Sequence, residues 1–113
     1  MVSLSTGTVV LVPFPFSDLS QAKLRPALVL ADAGRGDWVL CQITSNPYAD
    51  SHAVMIEEED FEVGSLRVRS CARPGKLFTA SEHLMASQAG RLKPASLSRI
   101  VEAVIAVLRS DVP

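Results

Sequence analysis

"RPALVLADAGRGDWVLCQITS", residues 25–45, contains two runs of strand-forming residues separated by a glycine-rich turn. The runs Arg25–Asp32 and Asp37–Ser45 are rich in Val, Leu and Ile and bounded by turn residues, so they predict an antiparallel hairpin. A tight turn on Gly34 and Arg35, or a longer loop on residues 33–36, gives one register, with Arg25 directly opposite Thr44. One face then carries Arg25, Ala27, Val29 and Ala31 against Trp38, Leu40, Gln42 and Thr44. The other carries Leu24, Pro26, Leu28 and Leu30 against Val39, Cys41, Ile43 and Ser45, an almost wholly apolar set suited to a core. The first face is apolar near the turn and polar at its far end, where a guanidinium meets a hydroxyl. A slip of one residue would send every side chain to the opposite face, so this register decides where the chemistry lies.

Outward from the hairpin, Gly7–Phe14 (GTVVLVPF) is β-branched and closed by prolines, and predicts a further strand. Residues 15–24 (PFSDLSQAKL) have no periodicity and predict a loop, as does NPYADS at 46–51. HAVMI (52–56) predicts a short strand, and EEEDFE (57–62) a solvated acidic loop. SLRVRSCA (65–72) alternates as a strand does. RPGK (73–76) has Pro74 and Gly75 placed for a type II turn, with LFTAS (77–81) as a strand beyond it. HLMASQAGRL (83–92) fits helix and strand equally. From Pro94 onward Leu97, Ile100, Val101, Val104 and Leu108 recur at helical spacing, with proline suited to the first turn. Ala103, Ala106 and Val107 widen that stripe beyond what one barrel covers, which suits contact with a second copy. The pattern is mostly β, a single domain over residues 1–113 closed by a C-terminal helix.

Composition narrows the function classes. With 48% apolar residues among 113, disorder is excluded, while 5% aromatics leaves few rings for base stacking. The apolar runs are shorter than the roughly 20 residues of a membrane span, and the N-terminus lacks the charged and apolar parts of a secretory signal. Cys41 and Cys71 sit in apolar stretches without a CxxC spacing, as buried thiols in a reducing cytoplasm do. His52 and His83 lie outside metal-ligand spacing, and consecutive carboxylates in EEEDFE point opposite ways on an extended chain, so no metal is expected. The formal net charge of −1 gives no global attraction for nucleic acid, so binding would need a local basic patch, with Lys23, Lys76, Arg67 and Arg69 as candidates.

The order of these segments resembles the MazF/PemK (Kid) toxins of bacterial toxin–antitoxin systems. GTVVLVPFPFSDLSQAKLRPALVL is similar to that family's opening strand, loop and Arg-Pro strand, CQITS to its third strand, and RPGKLFTAS with SLSRIVEAVIAVLRS to its later strand and closing helix. The resemblance implies an SH3-like barrel that dimerises and cleaves single-stranded RNA without a cofactor, the ribose 2′-OH attacking the adjacent phosphate to leave a 2′,3′-cyclic phosphate and a 5′-OH. It implies a cognate antitoxin as partner, with operator DNA reached through that antitoxin, and no membrane. Carried over by position, Arg25, Thr44 and Arg73 are the catalytic residues, and Ser45 is a neighbouring hydroxyl. Phe16, Asp18, Lys23, Tyr48 and Lys76 join Ser45 as RNA-contacting positions, Asp18 being also the nearby carboxylate available as a base. Three positions depart from the family. Thr8 stands for the Asp after the first Gly, Pro74-Gly75 for the Asp after the second Arg, and Ser17-Asp18 for the loop His. A non-catalytic SH3-like module binding protein or nucleic acid is the alternative.

Overall fold

The hairpin has the expected register from Val29–Leu40 through Leu28–Cys41 to Ala27–Gln42, but that is its last rung, and the expected Arg25–Thr44 pair is not part of the ladder. The computed structural model describes residues 4–15, 22–46 and 50–112. The hairpin is formed by β2 (Ala22–Gly34) and β3 (Asp37–Thr44), and its turn is one residue later than expected, with Gly34 opposite Asp37. Arg35 and Gly36 occupy the turn at φ 57° and 81°, the positive values a two-residue hairpin turn of this hand requires. Irregularities after Val29 and after Asp32 each insert one residue on β2 and cancel the displacement.

Around this pair the described residues form one antiparallel sheet. β1 (Thr8–Pro15) and β7 (Ser87–Leu92) extend it on the β2 side, ending in β5 (Phe61–Gly64). β6 (Ser70–Ser81) and β4 (Val54–Ile56) extend it on the β3 side, and α1 (Pro94–Arg109) follows. The resulting half-barrel, mostly β with a C-terminal helix, agrees with the expected SH3-like class. β5 and β7 approach most closely at Gly64 and Gly90. A Cβ on either would run into the other strand's backbone, at Ala89 O and Val63 O respectively.

The core divides as the hairpin's two faces do. Val9, Leu28, Cys41, Ile43 and Phe61 pack with Ile100 of α1, while Val10, Val12, Ala27, Val29 and Leu40 form a second cluster with Trp38 and Phe78. Complete burial of a side chain such as Ile100 stabilises the fold by about 2 kcal/mol. Of the residues expected to widen the apolar stripe of α1, Ala106 is exposed and Ala103 and Val107 are half-buried; Leu108, expected on the stripe itself, is exposed, as is Ile105.

Three local expectations are corrected, and one open segment is settled. RPGK is no hairpin turn, because β6 runs through it and Gly75 is absent from the positive-φ residues, whereas a type II turn needs that conformation there. Pro74 is fully buried, and its missing N–H falls where the β3–β6 register shifts between Cys41 and Ile43. SLRVRSCA becomes a strand only at Ser70, since residues 65–69 bend with Arg67 at φ 67°. HLMASQAGRL resolves into the end of a 3-10 turn (Glu82–Leu84) followed by β7.

The acidic segment, expected as a solvated loop, is the third correction. EEEDFE forms a 3-10 turn (Glu58–Asp60) leading into β5, and Asp60 is buried. Its carboxylate accepts from Glu57 N at 2.7 Å, from Ser96 Oγ at 2.8 Å and from Arg99 Nη2 at 3.4 Å. Arg99 Nη2 also donates to Met55 O at 3.0 Å. A single carboxylate thus ties the end of β4, the acidic turn and the first turns of α1 together. Burial alone would raise its pKa, but the Glu57 N–H, the Ser96 hydroxyl and Arg99 together hold it below the ordinary value of 3.8.

Candidate functional site

The Arg-Pro pair that opens the hairpin has a direct structural consequence. Pro26 pairs with Leu11 of β1, while the β2–β3 ladder ends one residue later, at Ala27–Gln42. A proline has no N–H to give to a second neighbour, so β2 and β3 part there. A cleft of about 210 Å³ lies at that opening, lined by Arg25 and Pro26 from β2 and by Ile43, Thr44 and Ser45 from the β3 side. Leu11, Leu66, Val68 and Ser70 complete the lining. Arg25 and Thr44 therefore both border one cleft.

Each side chain is placed by a different strand neighbour. Arg25 is exposed and registers with Val12 of β1, and Thr44 is half-buried and registers with Cys71 of β6. The Thr44 Oγ1 accepts from Asn46 N at 3.1 Å, which orients the hydroxyl and leaves its proton to donate. Ser45 is exposed beside it. An exposed guanidinium with hydroxyls across an aliphatic-walled cleft suits an anionic, oxygen-rich group such as a phosphodiester.

Arg73 stands outside the cleft lining but reaches the same strand. Its Nη1 donates to Gln42 Oε1 at 3.2 Å, and Gln42 lies two residues before Thr44 on the same face of β3. Its Nε donates to Asp50 Oδ2 at 3.2 Å. Where the chain lacks an Asp directly after Arg73, a carboxylate from the β3–β4 connection pairs with that arginine instead. The His52 N–H, and after it Arg73, hold the Asp50 carboxyl below its ordinary value. The register shift at Pro74 places Arg73 here, as bulges commonly do beside functional sites.

Lys23 is exposed and shares the β2 face of Arg25, whereas Lys76 is exposed within the irregular stretch that holds Arg73. Arg69 lines an adjacent hollow with Ser45 and Cys71 and pairs with Glu57 at 2.8 Å. Phe16, Asp18 and Tyr48 lie outside the described residues. Both cysteines are buried, and burial pushes the Cys41 thiol up to about 11 and the Cys71 thiol in the same direction, so neither is a ready nucleophile. His52 and His83 are both exposed.

Sequence reasoning missed Asp50, Gln42 and Ser70 as members of this surface. Gln42 already stood at the polar end of the Arg25 face, and its position beside Thr44 was a usable signal. Nothing local in NPYADS marks Asp50, because its partner lies 23 residues downstream.

Comparison with known proteins gives a family match. The model of a family described as PemK-like, MazF-like toxin of type II toxin-antitoxin system matches residues 5–108. No curated protein matches the sequence. Among solved structures, MazF from Deinococcus radiodurans is similar at 19% identity, covering 96% of this chain and 98% of its own with a TM-score of 0.73. An endoribonuclease from a mycobacterial species is 18% identical, with 100% and 98% of the two chains covered and a TM-score of 0.72. Another mycobacterial endoribonuclease, in complex with its cognate antitoxin, is 15% identical over 96% and 95% at a TM-score of 0.72. At these identities the likeness shows the fold.

Proposed function

The chain belongs to the PemK-like, MazF-like toxin family of type II toxin–antitoxin systems, and we propose that it is an endoribonuclease that cleaves single-stranded RNA without a metal ion. The observation that carries this reading is the cleft where β2 and β3 part, with Arg25 on one side and Thr44 on the other. The reaction forms a bond from the ribose 2′-oxygen to phosphorus and breaks the bond to the 5′-oxygen. The 2′-OH proton is given up, and the leaving 5′-oxygen gains one. Charge accumulates on the non-bridging oxygens during the transfer, so pre-placed donors contribute more than a strong nucleophile would. Arg25 neutralises those oxygens, Thr44 donates its hydroxyl proton to orient the phosphate, and Arg73 supplies a second cation on the same sheet face. Lys23, Ser45 and Lys76 extend the surface along the RNA backbone.

The reading is tested with purified protein and a single-stranded RNA in excess EDTA, where cleavage is expected to proceed. Cleavage only after Mg²⁺ or Mn²⁺ is added would overturn it. Within the same assay Thr44→Ser should retain most of the rate, because the hydroxyl remains. Thr44→Ala should lose on the order of tenfold or more, and equal rates for Ser and Ala variants would remove Thr44 from the mechanism.

The natural setting of this activity is a cytoplasmic homodimer held in check by an antitoxin. The exposed Ile105, Leu108 and Val112 at the C-terminal end support a two-fold contact, since large aliphatic side chains grouped there are unfavourable in water. Light scattering at micromolar concentration should give twice the chain mass, and the chain mass alone would count against the dimer.

A further inference from the structure

The Arg73 guanidinium is held at two of its nitrogens by partners from different elements. Nε donates to Asp50 Oδ2 and Nη1 to Gln42 Oε1, each at 3.2 Å. Asp50 is itself fixed: its Oδ1 accepts from His52 N at 2.8 Å, and its carbonyl accepts from Ala53 N at 3.2 Å. The Arg73 and Asp50 side chains are only 22% and 12% exposed, so solvent and salt screen this pair less than a surface bridge. Gln42, from β3, is buried and cannot swing away. The guanidinium plane is therefore set by β3 on one edge and by the β3–β4 connection on the other.

We propose that Asp50 is a positioning residue for RNA cleavage, acting through Arg73: its carboxylate fixes the guanidinium against β3, so that the phosphate meets a donor already in place. This rests on the ribonuclease reading above. An arginine ordered in advance loses little rotamer freedom when RNA binds, and its contribution falls in the chemical step. A role for Asp50 as the proton acceptor of the 2′-OH fits less well, since the His52 N–H and Arg73 both stabilise its carboxylate and make it a weaker base.

The test is Asp50→Asn in full-length protein, with single-turnover rates on a single-stranded RNA and the Arg73 Nε–H resonance followed by NMR. In the wild type that proton should exchange slowly with water. In Asp50→Asn it should exchange fast, and kcat should fall on the order of tenfold with KM little changed. The double variant Gln42→Glu with Asp50→Asn moves a carboxylate to the opposite edge of the same guanidinium and should recover most of the lost rate. Asp50→Glu gives the recovery arm if the double variant does not fold. Wild-type kcat in Asp50→Asn, with the Nε–H protection lost, would overturn the proposal alone. A lost rate that Gln42→Glu fails to recover in a folded double variant would overturn positioning in favour of proton transfer by Asp50. An absence of cleavage by the wild type would overturn the ribonuclease reading and this proposal together.

Discussion

Arg25→Ala is expected to slow RNA cleavage at least about a hundredfold, equivalent to roughly 3 kcal/mol of lost transition-state stabilisation, while leaving the fold intact. The side chain is exposed at the mouth of β2 and takes no part in either apolar cluster, so stability should change by no more than about 0.5 kcal/mol. The functional loss is large because Arg25 borders the cleft at the place where the sheet has opened. Arg25→Lys should restore little. An ammonium keeps the charge, but it lacks the planar fork that grips two phosphate oxygens at once. Cleavage by Arg25→Ala at the wild-type rate, measured on folded protein, would remove this cleft from the mechanism.

Asp60→Ala should produce the largest loss of stability among the variants considered, about 2–3 kcal/mol, or roughly 10 °C in melting temperature for a domain of this size. It strips acceptors from the Glu57 N–H, the Ser96 hydroxyl and Arg99, and so cuts the tie between the acidic turn and α1. Arg99 is half-exposed and can return to water, which keeps the cost below that of a wholly buried pair. The same carboxylate gives a pH signature. Its folded pKa lies below the ordinary 3.8, so its stabilisation is complete well above that value and is lost as pH falls through the folded pKa. Asp50 contributes in the same direction. Thermal melts of the wild type between pH 6 and 3 should therefore steepen at the acid end, and Asp60→Ala should show a shallower acid loss. Parallel pH profiles for the two proteins would contradict this account of Asp60.

How much could be read from the sequence depended on whether a partner was near in the chain. The β2–β3 hairpin and α1 were legible because period-two and helical patterns are local, and they brought Arg25 and Thr44 to one end of one face. The exact turn was misplaced by one residue, yet the register up to Ala27–Gln42 survived because two insertions on β2 compensate, while the Arg25–Thr44 pair was lost where the strands part at Pro26. RPGK failed as a reading because tertiary burial of Pro74 overrode a strong local turn signal. EEEDFE failed because the partners of Asp60 are Ser96 and Arg99, 36 and 39 residues away. The Asp50–Arg73 contact was hidden for the same reason. Segment 83–92 was ambiguous because β7 is defined by its pairing with β1 and β5, which local spacing does not encode.

The most direct test of an Arg25–Thr44 ribonuclease site is the mass of the fragments released from a defined single-stranded RNA in excess EDTA. Attack by the neighbouring 2′-OH should leave a 2′,3′-cyclic phosphate on the upstream fragment and a free 5′-OH on the downstream one. Fragments ending in a 3′-OH and a 5′-phosphate would mean that another nucleophile attacked from the opposite side, and would contradict the site as described.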